Sequence, residues 1–84
     1  MTFEDLKFKE RQHSQGIQAI VEFENGYGAS VVKGPYTYGG SNGLYELAVL
    51  RDGKICYSTD LTNDVLGFLT EAEVTTYLMG IEQL

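Results

Sequence analysis

The sequence predicts an α+β domain: a four-stranded antiparallel meander with a C-terminal helix packed on one face. Three observations predict it. Asn25-Gly26 and Asp52-Gly53 are each flanked by alternating apolar residues, the pattern of two tight hairpins. Thr70-Glu71-Ala72-Glu73 opens an apolar stripe at helical spacing. The chain has 84 residues, enough for one small domain, taken as residues 1–84 with 1–15 as an N-terminal segment whose structure the pattern leaves open.

Thr2-Phe3-Glu4-Asp5 suits the cap of a short helix, with Asp5 reaching back to the Thr2 amide region in a weak version of the capping box. The spacing of Phe3, Leu6 and Phe8 suits a strand almost as well. Gln12 to Gly16 is a polar break. Ile17 to Glu24 is the first strand of the meander, with Ile17, Ala19, Val21 and Phe23 on one face. A two-residue type I′ turn at Asn25-Gly26 returns Tyr27 to Lys33 as the second strand. That turn sets Phe23 opposite Gly28, Val21 opposite Ser30 and Ala19 opposite Val32. Leu44 to Leu50 and Lys54 to Ser58 form the second hairpin, pairing Val49 with Cys56, Leu50 with Ile55, Ala48 with Tyr57 and Arg51 with Lys54.

Ser58 to Gly67 is polar and turn-rich, with enough apolar residues to pack down. Thr70 is the N-cap of a helix from about Glu71 to Glu82, and Val74, Tyr77, Leu78 and Ile81 form its apolar face. Gly80 weakens the last turn.

The stretch Gly34-Pro35-Tyr36-Thr37-Tyr38-Gly39-Gly40-Ser41-Asn42-Gly43 joins the hairpins. If the second strand continues through it to a turn at Asn42-Gly43, Tyr38 lies opposite Leu47 and Tyr36 opposite Val49. One sheet face then collects Ile17, Ala19, Val21, Phe23, Val32, both tyrosines, Leu47, Val49 and Cys56 and receives the helix. The other collects Ile20, Val31, Leu44, Ala48, Leu50, Ile55 and Tyr57, framed by Gln18, Glu22, Lys33 and Glu46. A bulge at Gly34-Pro35 moves the tyrosines to this second face. That face is too apolar to stay wet, so the N-terminal segment or a second copy of the chain is expected to cover it.

The composition excludes more than it identifies. Six Lys and Arg against twelve Asp and Glu give a net charge of −6, which disfavours direct binding to nucleic acid or anionic membranes. No apolar run approaches the ~18 residues of a membrane span. The single cysteine, Cys56, allows no intrachain disulfide and suits a reducing, cytoplasmic setting.

No catalytic, metal or cofactor set stands out. His13 and Cys56 lack a third orienting residue, so a nucleophile pair is not expected. Asp60, Asn63 and Asp64 lack the spacing and terminal Glu of a calcium loop. The glycines of 39–43 are not followed by the Lys-Ser/Thr and helix of a phosphate loop. After Lys54 the chain carries acids but no Lys or Arg, so Glu71 and Glu73 belong to an acidic surface able to imitate phosphates toward a basic partner.

At Glu24 to Val32, Tyr38-Gly39-Gly40, Gly43 to Val49 and Asp64 to Glu71, the chain resembles small uncharacterised proteins of tailed bacteriophages and prophages. The resemblance covers most of the chain after Gly16. It implies a phage origin and the cytoplasm of an infected bacterium, and it transfers no catalytic or binding residues. The leading expectation is therefore a non-enzymatic accessory protein acting by protein–protein contact as a homodimer, without cofactor. Its expected contact residues are Tyr36, Tyr38, Leu44, Leu50, Ile55, Tyr57, Glu71 and Glu73. One alternative is an acidic inhibitor of a host nucleic-acid enzyme or defence complex. Another is a small-ligand binder near Tyr36 and Tyr38.

Overall fold

The computed structural model describes residues 1–59, 61, 62 and 64–84. The calcium-loop question at Asp60 and Asn63 lies outside the described residues. An antiparallel sheet carries a C-terminal helix on one face, with six strands among the described residues where the sequence predicts four. The strands are β1 (Lys9–Glu10), β2 (Ile17–Glu22), β3 (Tyr27–Lys33), β4 (Tyr45–Arg51), β5 (Lys54–Ile55) and β6 (Leu66–Leu69); the helix is α1 (Glu71–Glu82). The order across the sheet is β1-β2-β3-β4, and β5 and β6 share the outer edge of β4. β5 pairs with Leu50 and Arg51, and β6 with Tyr45 and Leu47. One edge serving two short strands explains how a polar, turn-rich lead-in conceals a strand.

The first hairpin corrects the expected register. Its loop is Glu24-Asn25-Gly26, three residues, because the Phe23 amide donates to the Tyr27 carbonyl at 2.7 Å. Gly26 takes the left-handed conformation at φ 86° that such a loop requires. Val21 therefore faces Ala29 rather than Ser30, and Ala19 faces Val31 rather than Val32. A one-residue slip exchanges faces, so Val31 goes under the helix and Val32 to the other side. The cause is tertiary. The Asn25 side-chain amide donates to the Ile81 carbonyl at 2.8 Å, which also accepts from the Leu84 amide at 3.2 Å, while the Asn25 side-chain oxygen accepts from the Tyr27 amide at 3.0 Å. The second hairpin keeps its expected register, with Leu50 opposite Ile55 and Arg51 opposite Lys54. Asp52 and Gly53 have φ 52° and 80°, as a type I′ turn demands. Its strand is short, so Tyr57 lies beyond β5.

The core lies between the sheet and α1. Val31, Leu47, Val49, Val74, Leu78 and Ile81 are fully enclosed, with Ala19, Ala29, Tyr45 and Leu69 around them. Cys56 and Tyr77 pack against the margin. The N-terminal segment joins this side and does not cover the second sheet face. Phe3 and Phe8 pack on Tyr45 with ring centroids 4.9 and 5.8 Å away, and Leu6 is buried in the same cluster. The Phe3 amide donates to Thr75 Oγ1 at 2.9 Å. The Asp5 carboxylate accepts from the Thr2 amide at 2.9 Å, and this bond holds its pKa below the ordinary value. Lys33, expected on the second face, instead lies over the Tyr45 ring.

α1 begins as expected. Thr70 Oγ1 accepts from the Glu73 amide at 3.2 Å, and the Glu73 carboxylate accepts from the Thr70 amide at 3.0 Å. Thr70→Ala removes one side of this box and is expected to cost about 1 kcal/mol. In a chain of this size that lowers the midpoint of a calorimetric melt by about 4–8 °C. Gly80 has a packing reason: a Cβ there would stand 3.1 Å from Leu61 Cδ2, so the glycine admits Leu61 against the helix.

Candidate interaction surface

Cross-strand partners share a face, so the register defines the side of the sheet away from α1. Three rows cross it. The first is Lys9, Gln18, Val32 and Glu46; the second is Ile20, Ser30 and Ala48; the third is Glu22, Gly28, Leu50 and Ile55. Val32, Ala48 and Leu50 are nearly buried among their neighbours. Ile20 is 59% exposed and stands proud of small neighbours, and Ile55 is half exposed. α1 and the N-terminal aromatics pack on the opposite face.

The outer end of the face is built by β6. Tyr45 pairs with Leu69 and Leu47 with Leu66, leaving Gly67 and Phe68 together opposite Glu46 as a bulge. Phe68 has φ 56°, left-handed backbone that a bulky residue rarely adopts, and its side chain is 57% exposed. The Gly34–Leu44 loop latches onto this bulge. The Phe68 amide donates to the Tyr38 carbonyl at 3.1 Å, and the Tyr38 amide donates to Glu46 Oε1 at 3.0 Å. A Cβ on Gly67 would strike Tyr38 Cβ, so this glycine lets the tyrosine cross β6.

The loop itself overturns the expected long hairpin. β3 ends at Lys33, and Gly34 to Thr37 closes on itself: Thr37 Oγ1 accepts from the Gly34 amide at 2.9 Å and donates to the Gly34 carbonyl at 3.0 Å. A 3-10 turn over Gly40–Asn42 follows, in place of the hairpin turn at Asn42-Gly43. Tyr36 is therefore 80% exposed and Tyr38 61%, and neither pairs with β4 or lines the core.

The expected contact residues are thus divided. Leu50 and Ile55 belong to the open face, and Tyr38 borders its β6 end. Tyr57 is exposed beyond β5, Leu44 is half-buried ahead of β4, and Tyr36 projects from the loop. Glu71 and Glu73 start α1, on the other layer. The face also holds Val32, and Phe68 stands exposed in the bulge at its β6 edge; the sequence did not single out either for it. The short apolar run Leu66-Gly67-Phe68-Leu69, ending at the Thr70 cap, is the signal that marks a strand there.

Little chemistry is assembled. His13 lies in the β1–β2 loop at one edge of the sheet and Cys56 follows β5 at the other, so the two do not meet. Hydrogen bonding from the Ser58 backbone, then its hydroxyl, holds the Cys56 thiol below its ordinary pKa. Among the described residues no three His, Cys, Asp or Glu converge as a metal site, and no helix is long and apolar enough to cross a membrane. A cleft of about 640 Å³ is lined by Lys7, Lys9, Arg11, His13, Gln18 and Ile20, among others, at the β1 edge of the open face. Of the acidic residues near α1, Glu73 is engaged in the cap and Glu82 pairs with the N-terminal amine. Compared with protein-family models, curated proteins and solved structures, the chain matches none.

Proposed function

We propose that this protein is a non-enzymatic interaction module that acts through the open face of its sheet, assembling as a homodimer. The observation that carries this reading is Phe68. Holding a bulky residue in left-handed backbone costs about 1–2 kcal/mol, and in the monomer its ring remains largely in solvent. Strain kept at an exposed aromatic next to an apolar sheet face supports a contact role. The sequence resemblance supports a setting among accessory proteins of tailed bacteriophages, in the cytoplasm of an infected cell. An inhibitory acidic surface is less favoured, because Glu73 and Glu82 are already engaged within the fold.

Size bounds the affinity. Five strand positions at ~4.8 Å and six residues at ~3.3 Å give a face of roughly 450 Å² per copy. Two such faces bury about 900 Å², below the ~1,200 Å² at which stable specific interfaces begin, so weak association in the micromolar range is expected. Light scattering across a concentration series should show the mass rising toward twice that of one chain. Ile20→Asp should hold the protein monomeric. Phe68→Gly should raise the stability of the monomer by about 1 kcal/mol while weakening association. A monomer at high micromolar concentration, indifferent to Ile20→Asp, would remove the homodimer.

A further inference from the structure

We infer that the second copy docks face to face about a two-fold axis that runs parallel to the strands over β3, with Lys9 of each copy reaching Glu46 of the other. This rests on the open-face reading above and names the orientation and the charged pair that fix it.

Two arrangements bring identical faces of an antiparallel sheet together with strands aligned, as packed sheets prefer. An axis across the strands would lay β1 of one copy on β1 of the other. Lys7, Lys9 and Arg11 are three of the six Lys and Arg in the chain, and all three line the cleft at that edge. That arrangement stacks cation on cation. An axis parallel to the strands reverses the strand order instead, and sets the β1 edge of one copy over the β4–β6 edge of the other.

The rows of side chains then match. Lys9 and Glu46 stand at opposite ends of one row, Lys9-Gln18-Val32-Glu46, so the row is antisymmetric in charge and complements its own rotated image. With the axis over β3, Lys9 is offset sideways from the other copy's Glu46 by about one strand spacing, ~4.8 Å, and the two extended side chains meet across sheets ~10 Å apart. Glu46 is half-buried, and one carboxylate oxygen already accepts from the Tyr38 amide, which fixes its position. In the next row Ile20, the most exposed apolar side chain in the three rows, meets Ala48 of the other copy, among the smallest. On the axis itself lie Gly28, Ser30 and Val32; the first two are small and Val32 is nearly buried, so the sheets can approach. Arg51 and Lys33, by contrast, are engaged over the rings of Tyr27 and Tyr45 and take no part.

Charge reversal in trans tests the geometry. Lys9→Glu alone creates two like-charged contacts per dimer, and Glu46→Lys alone creates two of the opposite sign. Each variant by itself should self-associate at least tenfold more weakly than the parent. An equimolar mixture restores both contacts as attractive pairs, so heterodimers should form within about threefold of the parent affinity, read by sedimentation equilibrium with one variant fluorescently labelled. Glu46→Gln, which keeps an acceptor for the Tyr38 amide, should weaken association without disturbing the loop amide signals in NMR. If the parent dimerises and Ile20→Asp abolishes it, but the mixture does no better than the single variants, the orientation is wrong while the open-face reading stands. If the parent does not dimerise at all, both fall. Far-ultraviolet circular dichroism and melting of each variant establish that the exposed substitution at position 9 leaves the fold intact.

Discussion

Leu78→Ala is expected to remove about 3–4 kcal/mol of stability, among the largest effects of any single truncation in the described residues. Leu78 is fully enclosed between α1 and the sheet, together with Leu47, Val31 and Val49. Deleting its isobutyl group forfeits the transfer free energy of those carbons and leaves a cavity, which together cost about 2–5 kcal/mol. A domain of this length has a total stability of only about 4–12 kcal/mol. The substitution therefore consumes a large share of it. Urea titration should show the midpoint fall with an unchanged slope. Met79, the next residue, is 54% exposed, so Met79→Ala should stay within about 0.5 kcal/mol of the parent. Equal effects at the two positions would show that α1 is not seated on the sheet by this face.

The second large effect is at Gly39. Its φ is 88°, and a Cβ there would lie 2.8 Å from Phe68 Cα and 3.0 Å from Phe68 N. Gly39→Ala thus combines left-handed strain with a backbone collision, and about 2–4 kcal/mol is expected. Gly43 isolates the first term. Its φ is 75°, but nothing lies within 4 Å of its would-be Cβ, so Gly43→Ala should cost only about 1 kcal/mol. The difference between the two melts reports how tightly the Gly/Tyr loop is held on β6. Because the colliding atoms belong to Phe68, Gly39→Ala should also displace that aromatic and weaken association. A dimer of parental affinity in the Gly39 variant would separate Phe68 from the contact surface.

Local chemistry made several elements legible in advance. The Thr70 capping box and the stripe Val74, Tyr77, Leu78, Ile81 define a helix with its start and its buried face, because both signals are contained within a few residues. Asp52-Gly53 likewise fixes the β4–β5 register from two residues whose positive φ the turn demands. Alternation places Ala19, Leu47 and Val49 in the core.

The candidate surface was only partly legible. Leu50 and Ile55 are on the open face as their pattern requires, since their hairpin kept its register. Val31 and Val32 exchanged roles because Asn25 bonds to the end of α1, 56 residues away in sequence, and so lengthens its turn by one. Tyr36 and Tyr38 left the sheet because Thr37 closes a local turn on Gly34 and the loop finds its partners on β6. Phe68 gained its exposed, strained position from a bulge that only the meeting of β4 and β6 creates. The sequence by itself determined an acidic α+β chain with a capped helix, apolar positions on both faces of its sheet and one hairpin register. The tertiary structure decided the outward or inward placement of Val31, Val32, Tyr36, Tyr38 and Phe68. That outcome turns on one-residue slips, and a slip is settled by contacts between segments far apart in the chain, where a local pattern carries no information.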